Sequence, residues 1–208
     1  MKPRGRRKPR AIPEVLTPEE QTRLLGRLEP TDCPGKLRNL ALVRVMLNSG
    51  LRASEARAVK VRDIDWNSGR LKVRGKGGKD RVIWLAGNDL ILLKNWLDHK
   101  PSSTRMPSST LVFTSLDGTK PLCGRWLRKL VTRLATQAGI DKRIHPHTLR
   151  HTFATNLLRQ EKNLFTVMKA LGHANLSTTQ IYLHLEDEEL ETAMKKLGNG
   201  KQNDFQTV

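Results

Sequence analysis

The spacing of apolar residues changes once along this chain, and that change constrains the fold more than any other feature. On both sides of a short interruption, apolar residues recur at the spacing of an amphipathic helix. Within the interruption, residues 70–74 and 81–85 read as strands, and Gly75-Lys76-Gly77-Gly78-Lys79-Asp80 lies between them. Two short strands around a glycine-rich loop predict an antiparallel hairpin. The predicted fold class is therefore α+β, mainly α, with one small antiparallel β-sheet.

Start and stop signals mark out the helices. Thr17-Pro18-Glu19-Glu20 has the order of a capping box, with proline at the first helical position. Gly50 suits the end of the next helix, whose apolar stripe contains Leu37, Leu40, Val43 and Leu47. Residues 101–110 are rich in Ser and Pro and predict a polar linker. The predicted helices cover about residues 18–28, 35–49, 54–59, 88–97, 122–138, 147–160, 164–171, 176–184 and 187–197.

The charge of the chain indicates a polyanionic partner. Its 208 residues include 38 Lys and Arg against 20 Asp and Glu, which gives a formal net charge of +18. An excess of this kind points most often to nucleic acid. The aromatic residues are four Trp, four Phe and one Tyr, and they are scattered, whereas proteins that bind single strands cluster their stacking rings. Double-stranded DNA is therefore the expected partner.

Membrane and secretory signals are missing from the sequence. The longest apolar run covers residues 82–86, whereas a helix that spans a membrane needs about 18 apolar residues. The cations at the start are not followed by the apolar stretch of a secretory signal. Cys33 and Cys123 indicate neither a disulfide framework nor a metal site. We expect a cytoplasmic protein with no membrane partner.

Histidines cluster in the C-terminal part of the chain. Five of the six lie in residues 145–184, and His147, Arg150 and His151 share one helix face by their spacing. A zinc site needs a third ligand, and no Cys, Asp or Glu lies between residues 145 and 160. An enzyme that acts on a polyanion without metal needs arginines and a nucleophile. The single tyrosine, Tyr182, is a candidate, although a lone tyrosine is more often a core residue.

Five short stretches together resemble the catalytic signature of the tyrosine recombinases, the phage-integrase family. Each stretch alone is common, but their order and spacing are similar to those of the family from about Leu16 to the tail. The stretches are Leu51-Arg52-Ala53-Ser54-Glu55, Gly75-Lys76-Gly77, His147-Thr148-Leu149-Arg150-His151, Leu171-Gly172-His173 and Ser177-Thr178-Thr179-Gln180-Ile181-Tyr182. The resemblance implies the helical catalytic domain of that family.

This resemblance implies a site that binds one phosphate of the DNA backbone. By it, Arg52 and Arg150 bind the non-bridging oxygens of the scissile phosphate, and Glu55 holds the site together. Two fixed guanidiniums stabilise the negative charge that the phosphoryl group gains in the transition state. The resemblance implies no metal ion and no cofactor.

The same resemblance implies how the proton and the phosphoryl group move. Tyr182 is the nucleophile and forms a 3′-phosphotyrosyl bond. His147 and His173 handle the tyrosine proton and hydrogen-bond the phosphate. Lys76 is the general acid for the leaving 5′-oxygen, and Lys79, in the same loop, is its rival for that role.

Some residues have no place in the family pattern. His145 and His184 match no motif position and are expected to be structural or solvent-facing. His151 is expected to pack against the scaffold, with no catalytic role. Residues 161–164 lack the glycine that is usual before the Asn-Leu pair, and Lys162 stands there instead. We expect this difference to change only a local turn.

The implied function is that of a site-specific DNA recombinase or integrase, which cuts and rejoins duplex DNA without metal or ATP. The family implies a homotetramer on synapsed DNA, and we expect a monomer in the absence of DNA. One alternative is a type IB topoisomerase, which would use the same nucleophile to relax DNA. The other is a DNA-binding regulator that keeps the fold without the catalysis.

The chain is expected to have three parts. Residues 1–13 are rich in Lys, Arg and Pro and predict a basic flexible arm. By the resemblance, residues 14–185 form the tyrosine recombinase catalytic domain. Residues 186–208 form an acidic tail with an amphipathic helix, which in the family docks on a neighbouring protomer. Most family members carry another helical domain before the catalytic one. The chain is therefore expected to be either a fragment or similar to the short members that use the catalytic domain alone.

Overall fold

The computed structural model describes residues 13–31, 33–75, 80–100 and 111–172. This part of the chain is mostly helical and contains one two-stranded antiparallel sheet, so the predicted fold class is confirmed. None of the described helices is long and apolar enough to cross a membrane. The elements are α1 (Pro18–Gly26), α2 (Pro34–Ser49), α3 (Ala53–Ala58), a 3₁₀ turn (Val61–Asp63), β1 (Arg70–Arg74), β2 (Asp80–Trp84), α4 (Gly87–His99), α5 (Gly124–Gln137), α6 (Pro146–Glu161) and α7 (Leu164–Leu171).

Several predicted elements lie outside the described residues. They are most of the arm, the hairpin loop at 76–79, the linker at 101–110 and the two predicted helices at 176–184 and 187–197. The described helices otherwise match the predicted ones to within a few residues. One difference is α1, which ends at Gly26 instead of extending to residue 28.

The hairpin packs one of its faces on the body of the protein. Strands β1 and β2 pair in register from Arg70 opposite Trp84 to Arg74 opposite Asp80. On the inner face, Leu71, Val73 and Ile83 are buried, as the alternation of a half-buried strand requires. The hairpin is therefore anchored by its apolar face.

Helix α2 runs through the centre of the core. The predicted apolar stripe is buried, but Leu42, Val45 and Met46 on its other sides are buried too. Burial on all sides arises because α1, α3, α4 and α6 all pack against α2. The single apolar stripe in the sequence therefore predicts less burial for α2 than the structure shows.

The segment before α1 is fastened to α6. The predicted capping box is present, since Glu20 N donates to Thr17 Oγ1 and Thr17 N donates to Glu20 Oε2. One residue earlier, Leu16 N donates to Thr152 Oγ1 on α6 at 2.9 Å, a buried hydrogen bond. The chain that follows the predicted arm is thus tied to the helix that carries His147 and Arg150.

Helices α6 and α7 form a pair joined by a tight turn. Lys162 ends α6 with a φ of 50°, in the left-handed region that favours glycine, and the Asn163 side chain caps the start of α7. Ala154 and Leu158 pack against Val167 and Leu171. This packing holds the end of α7 beside α6.

Candidate active site

A sharp turn at Gly50 sets the position of Arg52. Gly50 ends α2 with a φ of 62°, and a Cβ at this position would lie 2.3 Å from Phe153 Cδ1. Both the backbone conformation and the lack of space therefore require glycine. Two residues later, Arg52 is the N-cap residue of α3.

Three arginines surround the side chain of Glu55. We call these four residues the Glu55 cluster: Arg52, Glu55, Arg81 and Arg150. The carboxylate of Glu55 is only 5% exposed. Arg52 donates to Glu55 from its backbone N at 2.8 Å and from Nη1 at 2.7 Å. Arg81 donates from Nη1 to Oε1 and from Nη2 to Oε2, both at 2.9 Å. Arg150 Nη1 lies 3.8 Å from Oε2.

These contacts keep Glu55 ionised. Burial on its own would raise the pKa of Glu55, but the hydrogen bonds from Arg81 and Arg52 outweigh this effect and lower the pKa to about 2. Glu55 is therefore a carboxylate near neutral pH. Since three guanidiniums surround this one carboxylate, the cluster keeps a net positive charge.

Arg150 is held between the ends of two helices. Its side chain is 7% exposed. Nη1 donates to the Gly50 carbonyl at 2.6 Å, and Nη2 donates to the Leu171 carbonyl at 2.7 Å. These carbonyls lie at the C-terminal ends of α2 and α7, where the helix dipole favours a cation. The turn at Gly50 thus positions both arginines.

His147 lies in the first turn of α6, near these arginines. His145 caps that helix, because its Nδ1 accepts from Thr148 N at 3.3 Å, which gives it the structural role expected for it. Partial loss of hydration lowers the pKa of His147, and the positive charges of Arg150 and Arg52 lower it further. His147 is therefore neutral near pH 7 and able to accept a proton.

His151 is the other shifted histidine of this helix. It is partly buried, and burial lowers its pKa to about 4, with a smaller contribution from the charge of Arg150. A neutral, partly buried ring fits the scaffold position expected for it.

This shift predicts a pH dependence of stability. Between about pH 6.5 and pH 4 the unfolded chain binds a proton that folded His151 does not, so the free energy of unfolding falls as the pH is lowered. We expect His151→Gln to reduce this dependence by up to about 1.4 kcal/mol per pH unit. Urea unfolding of both proteins across this pH range measures it. Parallel curves for the two proteins would contradict the assignment.

Arg81 belongs to the Glu55 cluster although no motif points to it. A signal is nevertheless present in the hairpin, because residues 81, 83 and 85 share one face of the strand pattern and two of them are apolar. An arginine on the apolar face requires a buried acceptor. The alternation shows that an acceptor is needed, but only the fold shows that it is Glu55.

The structure brings together Arg52, Glu55, His147 and Arg150 from the predicted site. Lys76, Lys79, His173, Tyr182 and His184 lie outside the described residues, and their roles stay predictions. Within the described ranges, no three His, Cys, Asp or Glu side chains are grouped so that they could hold a metal ion. The arrangement offers fixed positive charge and one neutral histidine.

Comparison with known proteins gives consistent matches. The phage integrase family model matches residues 14–189. Tyrosine recombinase XerC of Xanthomonas campestris pv. campestris (strain B100) is 37% identical over 187 residues, which are 90% of this chain and 56% of that protein. XerC of Vibrio cholerae serotype O1 (strain M66-2) is 34% identical over 184 residues, 88% of this chain and 58% of that protein. The chain thus spans a little over half the length of these curated relatives.

Solved structures of recombinases share the fold. The XerH site-specific recombinase bound to a palindromic difH substrate, in a post-cleavage complex, has a TM-score of 0.74 and 31% identity, and the match covers 88% of this chain and 53% of XerH. The XerA recombinase has a TM-score of 0.75 and 31% identity over 90% of this chain and 66% of XerA. By sequence and by fold, the chain belongs to the phage integrase family of tyrosine recombinases.

Proposed function

We infer that this chain acts as a site-specific recombinase that cuts and rejoins double-stranded DNA through a 3′-phosphotyrosyl bond, without metal or ATP. The observation that carries this proposal is the Glu55 cluster beside His147. It places two arginines from distant parts of the sequence at one buried carboxylate, next to a histidine that is neutral at pH 7.

The charge of the cluster suits a phosphate. Arginine binds phosphate oxygens through paired hydrogen bonds and stays protonated. The Arg52 side chain is 31% exposed, whereas that of Arg150 is 7% exposed, so Arg52 extends toward the surface from a buried base. Charges that are fixed before the reaction stabilise a transition state that gains negative charge. Arg52 and Arg150 would therefore bind the scissile phosphate.

The proposed reaction is a balanced exchange of one ester for another. The Tyr182 oxygen attacks phosphorus and gives up its proton, and His147, which is neutral near pH 7, helps to remove this proton together with His173. The bond from phosphorus to the 5′-oxygen breaks, and Lys76 protonates that oxygen. The 3′-phosphotyrosyl bond conserves the energy of the ester. Attack by a 5′-hydroxyl then reverses the steps and rejoins DNA without ATP.

A basic helix next to the cluster supports DNA as the substrate. Helix α5 carries four exposed cations and no acid: Arg125, Arg128, Lys129 and Arg133. The charge of Arg128 contributes to the lowered pKa of His147, so this basic face adjoins the proposed site. XerH, 30% identical to this chain, is known in a pre-cleavage complex with its difH substrate. We propose that a DNA duplex lies across α5 and the Glu55 cluster.

A pool of nicked duplexes of random sequence tests this function. A nick beside the cut lets a short strand diffuse away, so the covalent intermediate accumulates. We expect adducts that survive denaturation and are enriched in one sequence, and we expect a plasmid with two copies of that sequence to recombine. Relaxation of plasmids lacking the sequence, as the main activity, would favour a type IB topoisomerase. Specific binding without any adduct would favour a regulator.

We propose that the recombining species is a homotetramer on two synapsed duplexes and that the tail joins its protomers. The tail sequence is acidic and places Leu190, Ala193, Met194 and Leu197 at helical spacing. Truncation after Leu185 is expected to preserve binding to one duplex and to weaken the assembly of synaptic complexes. Native gels with one and two duplexes measure both steps. Full synaptic complexes with the truncated protein would contradict this role.

We propose that the arm adds affinity for DNA without adding specificity. Residues 1–10 contain six Lys and Arg and no acid. Deletion of residues 2–10 is expected to flatten the slope of log K against log salt by about 0.9 for each phosphate that the arm neutralises. Site preference should hardly change. The control replaces the six cations by Gln, which keeps the length, and should behave like the deletion; an unchanged slope in both variants would contradict the proposal.

A further inference from the structure

Arg81 occupies a position in the hairpin that a strand normally gives to an apolar residue. It is the second residue of β2 and shares its face with the buried Ile83. Its side chain is only 10% exposed. A buried guanidinium at the edge of the core needs fixed acceptors, because an unpaired buried charge is strongly unfavourable.

The acceptors of Arg81 come from two other segments of the chain. Nη1 and Nη2 bind the two oxygens of Glu55, and Nε donates to the Ala170 carbonyl at 3.0 Å. Arg81 also packs closely on Gly172, where a Cβ would lie 2.8 Å from Arg81 Cδ and where φ is +63°. One side chain thus links β2, the first turn of α3 and the C-terminal end of α7.

The segments that Arg81 links also contact the two proposed phosphate-binding arginines. Glu55 also binds Arg52 and lies 3.8 Å from Arg150. The end of α7 supplies the Leu171 carbonyl that holds Arg150. A displaced Arg81 would therefore disturb both proposed phosphate-binding arginines.

The positive charge of Arg81 also affects the site, because it balances the negative charge of Glu55. The planar guanidinium of Arg81 donates to both carboxylate oxygens of Glu55. The negative charge of Glu55 is therefore balanced chiefly by Arg81, which is not one of the proposed phosphate-binding arginines. Without Arg81, the carboxylate would be balanced by Arg52 and Arg150 alone. Attraction between charges is strong where water is excluded, so both arginines would be drawn to Glu55 and away from a phosphate.

Direct phosphate binding by Arg81 does not fit these contacts. Both terminal nitrogens of its fork are paired with the charged carboxylate of Glu55, and a phosphate would have to compete with that carboxylate. The terminal nitrogens of Arg150, by contrast, bind two uncharged carbonyls, and the Arg52 side chain is 31% exposed. These contacts indicate that Arg81 acts on the site indirectly, through Glu55 and the end of α7.

We propose that Arg81 is a positioning residue for DNA cleavage: it neutralises Glu55 and joins the hairpin to α3 and α7, so that Arg52 and Arg150 stay available to the scissile phosphate. This inference rests on the proposed function of the site.

The test compares Arg81→Lys and Arg81→Met with matched changes at Arg70. Arg70 lies in the same hairpin, is exposed, and pairs with Trp84 at the end away from the loop. The substrate is the pool of nicked random duplexes, with protein in excess so that all DNA is bound. We expect both Arg81 variants to form adducts about 10²-fold more slowly, with unchanged affinity for duplex DNA. The Arg70 variants should match wild type.

Arg81→Lys is informative because it keeps the charge. A lysine ammonium is a single point and cannot reproduce the two-pronged contact with Glu55 together with the Ala170 contact. We therefore expect Arg81→Lys to restore little of the rate of adduct formation that Arg81→Met loses. A wild-type rate for Arg81→Lys would overturn the proposal, and so would a loss of DNA affinity as large as the loss of rate.

A double-mutant cycle separates positioning from a general loss of stability. If Arg81 acts through Glu55, then Arg81→Met and Glu55→Gln together should slow adduct formation less than the product of the two single effects. Rates are taken at a temperature where circular dichroism shows each variant fully folded. A double variant as slow as that product would overturn the proposal.

Hydrogen exchange gives an answer that does not depend on cleavage. Amides in α3 and at the end of α7 are expected to exchange faster in Arg81→Met than in wild type or Arg70→Met. Unchanged exchange there would overturn the proposal even if cleavage were slow. If wild type formed no adduct at all, the proposed function would fail, while faster exchange in these two segments would still support the positioning role of Arg81.

Discussion

Replacement of Tyr182 by Phe is expected to abolish covalent attachment to DNA while specific binding is kept. The change removes one hydroxyl and leaves the ring, so contacts that depend on the shape of the side chain remain. The chain contains no other tyrosine, and no neighbouring residue of the same type can take over. Gel shifts measure binding, and denaturing gels measure adducts on the same nicked duplexes.

The control for Tyr182→Phe is His184→Gln. His184 lies two residues further along the chain and matches no motif position, so its replacement should leave adduct formation intact. Adducts formed by Tyr182→Phe at an appreciable rate would contradict the assignment of the nucleophile. Loss of adducts in both variants would show that the segment is generally sensitive to change.

Replacement of Lys76 by Ala is expected to slow cleavage of ordinary DNA by about 10²- to 10⁴-fold, the usual contribution of a general acid. The leaving 5′-oxygen is a poor leaving group without a proton. Sulfur in place of this bridging oxygen removes the need for the acid, because a thiol ionises with a pKa near 8.5. Lys76→Ala should therefore cleave the sulfur-bridged duplex at close to the wild-type rate.

Lys79→Ala is the matched control in the same loop. Lys79 lies next to Asp80, and in the hairpin Asp80 already pairs with Lys72 at 3.1 Å. We expect Lys79→Ala to slow both substrates by a similar, smaller factor, as removal of an ordinary phosphate-binding cation would. Rescue of Lys79→Ala by sulfur, with none for Lys76→Ala, would transfer the role of general acid to Lys79.

Local signals in the sequence predicted most of the described fold. The Thr17 capping box, the glycine at position 50 and the alternation of the hairpin each depend on neighbouring residues, and each is present in the structure. Helix α2 shows the limit of such signals. Its burial on all sides is set by four other helices, and no local pattern contains that information.

Residue 162 shows why a glycine suits the turn between α6 and α7. The family pattern implies a glycine there, and Lys162 adopts the left-handed conformation that glycine adopts without strain. The sequence located the difference from the family pattern. The backbone angle at this residue became known only from the path between α6 and α7.

The candidate site was predictable in part. Motifs identified Arg52, Glu55, His147 and Arg150, which the structure places close together. Arg81 escaped because its partner Glu55 lies twenty-six residues earlier, and ion pairs between distant segments leave no local pattern. The alternation of the hairpin places Arg81 on the apolar face of β2, but its acceptor could be named only from the fold.

Mass spectrometry can identify the residue to which DNA becomes covalently attached. The adduct of the wild-type protein on nicked duplexes is digested with protease and nuclease, and mass spectrometry identifies the residue that carries the nucleotide. We expect a 3′-phosphate linked to the Tyr182 oxygen in a peptide that contains residues 173–185. A nucleotide found on a serine or on either cysteine would contradict it.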